Sequence, residues 1–198
     1  MIFMRFQKFS TAAWLAALTL ASVCSSVLAQ EAPRVRFNTT AGAFVVEVYP
    51  DKAPKTVENF LQYVKDKHYD GTIFHRVIDN FMVQGGGFDA KFSQKPTRAP
   101  IPLEASTGLK NDVGTIAMAR TGNPNSATSQ FFINVKDNAM LNAPSPDGYG
   151  YTVFGKIVSG ADVIQKIKST PTGAGGPFPT DVPKTTILIN SATLEKKP

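Results

Sequence analysis

Short runs rich in β-branched and aromatic residues recur along the chain from residue 34 onward, and glycine, proline, asparagine or aspartate separates them. Eight such runs lie at 34–39, 43–49, 72–78, 81–84, 115–119, 130–135, 151–157 and 185–190. Many short strands with turn residues between them indicate an antiparallel sandwich or barrel. The chain is therefore predicted to fold mainly as β.

Two segments show helical spacing instead. The first has a proline near its start and apolar residues at i, i+3, i+4 and i+7, namely Pro54, Val57, Phe60, Leu61 and Val64. The second follows a weak capping signal and ends before a proline, and its residues are Ser159, Asp162, Val163, Ile164, Ile167 and Pro171. These patterns predict two amphipathic helices. Periodicity alone does not separate a barrel whose ends they cover from a sandwich with flanking helices.

Four long segments lack either periodicity, and they lie at 87–106, 121–128, 142–150 and 170–183. Loops of this length in a compact domain are usually binding loops or mobile ones. The stretch 173–177 is predicted to be a loop inside the domain, because the apolar strand after it needs a partner. Since the chain has neither an internal repeat nor an interdomain linker, we interpret it as one domain.

The first thirty residues have a pattern of their own. Arg5 and Lys8 are the only charges there, and an apolar run follows at 12–20. Residues 27–29 then match the side-chain spacing that a signal peptidase reads. We predict a signal peptide at 1–29.

Cleavage before Gln30 would leave a domain at 30–198 in the periplasm. An uncleaved membrane anchor is the alternative, because the stretch 9–30 carries no charge and is about long enough to span a bilayer. A lipid attached to Cys24 is a weaker alternative, since the residues before it lack the usual leucine and small residue.

Composition agrees with a soluble exported domain. The 198 residues are 42% hydrophobic and 18% charged, which is an ordinary balance for a soluble protein. Of 21 basic residues, Arg5 and Lys8 lie in the leader, so 19 remain against 15 acidic residues and the mature charge is +4. Because Trp14 and Cys24 also leave with the leader, the hydrophobic core must hold the fold without a disulfide. The basic residues are scattered among acidic ones, which argues against nucleic-acid binding.

Few residues of the mature chain suit nucleophilic or metal chemistry. His68 and His75 are its only histidines, no Gly-x-Ser-x-Gly motif occurs, and no pair of histidines or cysteines has metal-ligand spacing. We therefore expect neither a hydrolase nor a metal or other cofactor. His75 is interpreted as a structural residue of its strand. The glycines at 85–87 are interpreted as points of close backbone approach, because the lysine of a phosphate-binding loop does not follow them.

One cation stands among apolar residues in the predicted strand at 72–78. Arg76 costs desolvation there unless it reaches water or a partner, and the side-chain oxygen of Gln84 can provide one. An edge-strand arginine that extends into water is the simpler alternative. Phe131 and Phe132 are adjacent in another strand, so their rings should point to opposite faces, one into the core and one into a surface groove.

Several motifs accompany this arginine along the chain. They are FHRVI at 74–78, FMVQGG at 81–86, GTIAMA at 114–119, SQFFI at 129–133 and VFGK at 153–156. Together they resemble the cyclophilin family of peptidyl-prolyl cis–trans isomerases, and the exported bacterial members most closely. The resemblance implies an eight-stranded antiparallel barrel closed by two α-helices, an active groove on its outer surface, and acceleration of rotation about Xaa-Pro bonds.

The resemblance also implies the residues of the site. Arg76 corresponds to the family's catalytic arginine and Gln84 to its supporting glutamine. The proline pocket corresponds to Phe81, Met82, Phe132 and Leu141, and a backbone strip for the residue before proline corresponds to Ala119 and Arg120. At two more substrate-binding positions the chain departs from many eukaryotic members, with Met140 for a tryptophan and Tyr151 for a histidine. Because the N–H of that tryptophan helps the family to hold cyclosporin, we expect weak inhibition by cyclosporin.

The implied partners are proline-containing peptides and unfolded or partly folded proteins, not nucleic acid. We expect a monomer that assists the folding of exported proteins and meets a membrane only through an uncleaved N-terminal segment. A non-catalytic proline-peptide binding module on the same fold is the competing hypothesis. The presence of Arg76 and Phe132 argues against it.

Overall fold

The computed structural model describes residues 1–2, 32–144 and 147–196. The chain forms two compact units, Met1–Gln30 and Glu31–Pro198. The predicted signal peptide falls in the first unit and, beyond its first two residues, outside the described part of the chain. No helix in the described part is long and apolar enough to cross a membrane.

The second unit is built mainly of strands. They are β1 (Arg34–Thr39), β2 (Gly42–Val48), β3 (Thr72–Ile78), β4 (Met82–Asp89), β5 (Thr115–Met118), β6 (Phe131–Asn134), β7 (Val153–Ser159), β8 (Thr172–Gly175), β9 (Phe178–Pro183) and β10 (Ile189–Leu194). The helices are α1 (Pro54–Lys65) and α2 (Ala161–Lys168), and a short 3-10 helix covers Ala139–Leu141.

Eight of these strands form one antiparallel sheet whose two edges meet. Its order is β10, β1, β2, β7, β5, β6, β4, β3. The Phe74 N–H on β3 donates to the Ile187 carbonyl at 3.0 Å, and the Gly71 N–H donates to the Ile189 carbonyl at 2.8 Å. Because these bonds join the chain at the start of β3 to the chain at the start of β10, the sheet is a nearly closed barrel. The barrel, not the sandwich, is therefore the correct choice between the two folds that the strand pattern left open.

An aromatic cluster fills the interior of the barrel. Phe37 on β1 stacks on Phe44 on β2, with ring centroids 4.9 Å apart. Phe60 of α1 lies 5.0 Å from Phe154 and packs edge-on against Phe131 at 6.3 Å. Each of these rings is at most 1% exposed. Since full burial of such a side chain stabilises the fold by about 1.5–3 kcal/mol, the rings form a strong core in a unit without a disulfide.

Both predicted helices are present, and each buries its apolar face. Pro54 occupies the first turn of α1, where its missing N–H costs nothing. The predicted capping signal of α2 is wrong: Gly160, with φ 78°, precedes the helix, and no side chain caps it. Ser159 is instead the last residue of β7. A glycine suits this junction because the left-handed backbone carries no Cβ penalty there.

The segment 170–183 is not the irregular loop that its composition predicts. It contains the hairpin formed by β8 and β9, in which Thr172 pairs with Pro183 and Gly175 with Phe178. Glycine and proline within these strands hide the alternation that marks a strand in sequence. The hairpin lies against β3, the strand that carries Arg76.

The last strand of the barrel begins later than its sequence pattern predicts. Pairing of Val35 with Leu194 and of Phe37 with Ala192 places β10 at Ile189–Leu194, whereas 185–190 was expected. The register of a strand depends on its pairing with the neighbouring strand, so an apolar run in the sequence does not define where the strand begins.

Candidate active site

Strand pairing places one row of side chains across the outer face of the barrel. Arg76 on β3 lies opposite Gln84 on β4, and Gln84 lies opposite Phe132 on β6. Phe132 in turn lies opposite Ala117 on β5. Phe131 is fully buried in the barrel core, whereas Phe132 belongs to a second apolar cluster on the other face. The prediction that these two rings point to opposite faces is confirmed.

A pocket of about 290 Å³ lies over this row. Its lining consists of Arg76, Phe81, Met82, Gln84, Ala119, Arg120, Phe132, Leu141 and Tyr151. The floor is apolar: Met82 is 2% and Phe132 is 4% exposed, and the Tyr151 ring packs edge-on against Phe132 at 5.6 Å. The structure thus brings together all the predicted site residues except Met140.

Met140 lies outside this lining. It is the middle residue of the 3-10 helix Ala139–Leu141, and it is 57% exposed. Its neighbour Leu141 packs against the apolar cluster that contains Met82 and Phe132. The tight turn of the helix sends these adjacent side chains in different directions, so Met140 lies at the surface beside the pocket.

A short line of polar contacts orients the cation of the pocket. The Nη1 of Arg76 donates to Oε1 of Gln84 over 3.5 Å, and Nε2 of Gln84 donates to Oε1 of Gln130 over 3.0 Å. The Arg76 side chain keeps 43% of its surface exposed. Its guanidinium is therefore held from one side while the other side can reach a ligand in the pocket.

A carboxylate that the sequence did not single out also faces this arginine. Asp181 on β9 lies 3.9 Å from Nε of Arg76, and its backbone is left-handed with φ 67°. Nothing in the local sequence marks Asp181 as a site residue, since it lies in the segment 170–183 that was predicted to be an irregular loop. Gln130, by contrast, lies within the SQFFI motif, so the sequence already marked its surroundings.

Arg120 contributes to the pocket wall without offering its charge. Its side chain is only 2% exposed and donates to the Gly150 carbonyl from Nε at 3.0 Å, and Nη2 forms an ion pair with Asp147 at 2.5 Å. The guanidinium also lies over the Tyr151 ring, 4.4 Å from its centroid. This arrangement ties the loop before β7 to the pocket. The guanidinium of Arg120 is therefore engaged within the protein.

His75 does not line the pocket but packs against β9. Its ring is 3% exposed and packs between Phe88, 4.7 Å away, and Phe178 of β9, 5.4 Å away. Burial, with a smaller contribution from the charge of Arg76, lowers the pKa of His75 to about 4. The imidazole is neutral at pH 7 and has no contact with the pocket, which agrees with a structural role.

Two tight backbone positions lie near the pocket strands, and the first agrees with the close backbone approach expected at 85–87. At Gly86, with φ 84°, an added Cβ would lie 2.8 Å from the Tyr69 ring and 3.0 Å from that of Phe131. Asn80, in the turn between β3 and β4, has φ 60°, and its N–H bonds to the side chain of Asp79. Glycine permits the first geometry and asparagine the second.

In the described part of the chain, no three histidine, cysteine, aspartate or glutamate residues are grouped so that they could hold a metal ion. The fold and the site therefore define a single β-barrel whose binding groove lies on its outer wall, with an apolar pocket and one arginine.

Comparison with known proteins extends this description. Residues 34–194 match the model of the family described as cyclophilin type peptidyl-prolyl cis-trans isomerase/CLD. The chain is 56% identical over 162 residues to peptidyl-prolyl cis-trans isomerase cyp18 of Streptomyces antibioticus, covering 81% of this chain and 97% of that protein. It is 52% identical over 164 residues to peptidyl-prolyl cis-trans isomerase B of Escherichia coli, covering 82% and 99%.

Solved structures agree. A cyclophilin type isomerase from Cryptosporidium parvum superposes with a TM-score of 0.69 at 28% identity, covering 84% of this chain and 99% of that one. A second structure, of that protein in the presence of the dipeptide Ala-Pro, gives 0.67 at 27% identity, with 83% and 99% coverage. The chain belongs to the cyclophilin family, and it is a peptidyl-prolyl cis–trans isomerase.

Proposed function

We propose that isomerisation takes place in the 290 Å³ pocket and depends on Arg76. The observation that carries this proposal is the position of one exposed guanidinium at the rim of an apolar floor, with Gln84 as its hydrogen-bond partner. Proline is a compact apolar ring, and Met82, Phe132 and Leu141 offer it a matching surface.

The reaction is limited by its rate, not by its equilibrium. Rotation about a peptide bond must cross a barrier of roughly 18–20 kcal/mol, although the cis and trans forms before proline differ by only about 0.5–1 kcal/mol. Twisting the bond breaks its resonance and leaves a localised lone pair on the proline nitrogen. That lone pair can accept a hydrogen bond that the planar amide cannot.

Arg76 is suited to donate this hydrogen bond. It carries its charge at every physiological pH, and its contact with the lone pair forms only while the bond is twisted, so the contact lowers the barrier without trapping the substrate. The apolar floor adds to the effect, because a twisted amide is less dipolar than a planar one. A gain of about 10⁴-fold corresponds to roughly 5–6 kcal/mol, which one charge-assisted hydrogen bond and good positioning can supply.

The remaining pocket residues have separate roles in this proposal. Phe81 and Tyr151 wall the proline pocket, and Met140 lies beside it. The backbone at Ala119 and Arg120 pairs with the residue before proline. Binding through backbone groups suits a catalyst that accepts many different peptides.

The test is a prolyl-peptide isomerisation assay on the wild type and Arg76→Ala. Loss of one donor to the transition state predicts a fall of about 10²–10³-fold in kcat/KM. Arg36→Ala is the matched control, because Arg36 is also a strand arginine in an ion pair, with Glu195 at 2.9 Å, but on β1. Equal activity in Arg76→Ala and the control would contradict the proposed role.

We further propose that the enzyme is exported and assists the folding of periplasmic proteins as a monomer. The charged start, apolar run and cleavage pattern of residues 1–29 support export, and the lack of cysteine at 30–198 suits an oxidising compartment. Cell fractionation with mass measurement of the purified chain tests this. A periplasmic protein that begins at Gln30 is expected; a cytoplasmic chain that keeps Met1 would contradict it.

A further inference from the structure

Three buried asparagines lie behind the proline pocket. Asn111 belongs to the loop before β5, Asn134 ends β6, and Asn138 precedes the 3-10 helix. Asn111 and Asn134 are fully buried, and Asn138 is 1% exposed. Asparagine is mostly a surface residue, so three such side chains together in the interior call for a specific explanation.

Their amides form a continuous chain of hydrogen bonds. Nδ2 of Asn138 donates to Oδ1 of Asn134 over 2.7 Å, and Nδ2 of Asn134 donates to Oδ1 of Asn111 over 3.2 Å. Nδ2 of Asn134 also donates to the Thr115 hydroxyl over 2.9 Å. We call these three asparagines the amide chain.

Both ends of the amide chain bond to the backbone of pocket residues. At one end, Nδ2 of Asn138 donates to the Phe81 carbonyl over 2.7 Å. At the other end, Nδ2 of Asn111 donates to the Leu141 carbonyl over 3.1 Å and approaches the Tyr151 carbonyl at 3.4 Å. Every amide nitrogen of the chain thus finds acceptors, which is the condition under which a buried polar network is rigid.

The three residues held in this way share one property. Phe81, Leu141 and Tyr151 lie outside the strands, whereas Met82 and Phe132 on the pocket floor lie within β4 and β6. Strand pairing fixes the floor, but loops are more mobile than the strands that they join. The walls of the pocket therefore need another source of rigidity.

We propose that the amide chain is a set of positioning residues that holds the loop-borne walls of the pocket at a fixed distance from its strand-borne floor. This inference rests on the proposed function, because it assumes that proline enters this pocket. The amide chain makes no contact with the pocket lumen; it acts through Phe81, Leu141 and Tyr151, and so sets how well the proline ring fits.

The first experiment replaces Asn138 by aspartate, which keeps the size of the side chain but removes both N–H groups. The backbone oxygen of Phe81 and Oδ1 of Asn134 then face a carboxylate that cannot donate to them. Phe81 should therefore move away from the pocket floor. We expect KM and the peptide Kd to rise about tenfold while kcat changes less than about twofold, because Arg76 is untouched. The milder Asn138→Ser, which keeps one donor, should show a smaller rise in KM and serves as a second variant if the aspartate variant does not fold.

Asn59→Ala is the matched control. Asn59 is also a buried asparagine, 9% exposed, and its Nδ2 donates to the backbone carbonyl of Thr128 over 2.7 Å. It belongs to α1 and does not line the pocket. We expect this control to lower the melting temperature without a change in KM. If the Asn138 variants also lower only the melting temperature and keep the wild-type KM, the amide chain is merely structural and the inference is wrong.

A measurement on the wild type avoids folding defects altogether. On titration with a proline peptide, the side-chain amide NMR signals of the amide chain should shift in step with the backbone signals of Phe81 and Tyr151, and that of Asn59 should not. Side-chain signals that stay fixed while the backbone signals shift would overturn the inference. Failure of the proposed function looks different, because Arg76→Ala would then retain its activity whatever the amide chain does.

Discussion

Arg76 lies directly opposite Gln84 in the ladder between β3 and β4, and its Nη1 donates to Oε1 of that glutamine over 3.5 Å. Nε2 of Gln84 in turn donates to Oε1 of Gln130, the residue just before β6. The guanidinium is thus oriented by a line of neutral amides, which hold it in place without neutralising its charge.

Gln84→Leu keeps the approximate size of the side chain and removes the acceptor of Arg76. We expect kcat to fall about tenfold, less than for loss of the arginine itself, because the donor remains but is no longer oriented. Steady-state isomerisation kinetics measure this. Gln62→Leu is the control and should keep full activity, because Gln62 lies on α1 away from the pocket and its side chain donates to Asp66. A Gln84→Leu variant as active as this control would show that Arg76 needs no support.

Asp181→Asn tests the second contact of the arginine. The carboxylate lies 3.9 Å from Nε, and the two side chains keep 35% and 43% of their surfaces exposed. A pair this open to water is worth at most about 1 kcal/mol, so we expect a loss of unfolding free energy below that value and a change in kcat/KM below about threefold. Urea denaturation and the same kinetic assay decide the matter. A much larger loss of activity would make Asp181 a positioning residue equal to Gln84.

Stability should fall in weakly acidic solution because of His75. Its pKa is about 4 in the folded protein, below the ordinary value of 6.5, so the unfolded chain takes up the proton first. The stability due to the neutral ring is complete above about pH 6.5 and is lost as the pH falls toward 4. The loss of unfolding free energy reaches about 2–3 kcal/mol at pH 4.5.

His75→Phe has no such proton to bind, and its ring suits the space between Phe88 and Phe178. We therefore expect its unfolding free energy to depend less on pH between 4.5 and 7 than that of the wild type. Burial also lowers the pKa of His68, but this histidine is present in both proteins, so its effect cancels in the comparison. Parallel curves for the two proteins would mean that His75 titrates normally.

Cyclosporin should inhibit the enzyme weakly, because Met140 has no N–H to donate. Met140 is 57% exposed, so a tryptophan can replace it without disturbing the core. Met140→Trp should lower the inhibition constant about tenfold or more, whereas Met140→Phe, which adds a ring without a donor, should not. Since the only tryptophan of the chain is Trp14, the new indole in a chain that begins at Gln30 would also report binding by its fluorescence. Tight inhibition of the wild type would refute this prediction.

Local patterns predicted those parts of the molecule in which neighbours along the chain are also neighbours in space. The spacing of apolar residues after Pro54 predicted α1, and the run at 72–78 matches β3 as observed. Alternation along a strand also explains why Phe131 enters the core and Phe132 the groove. The residues of the pocket followed from motifs that resemble those of a known family.

The sequence by itself therefore determined both helices and most of the barrel strands, the adjacency of Arg76 to an apolar run, and the family. Tertiary structure decided closure of the barrel, the β8–β9 hairpin that brings Asp181 to the arginine, and the amide chain that joins Asn111 to Asn138. The physical reason is the same in each case. A hydrogen bond between distant segments depends on the register and distance that packing imposes, and neither quantity is encoded in the local period of a chain.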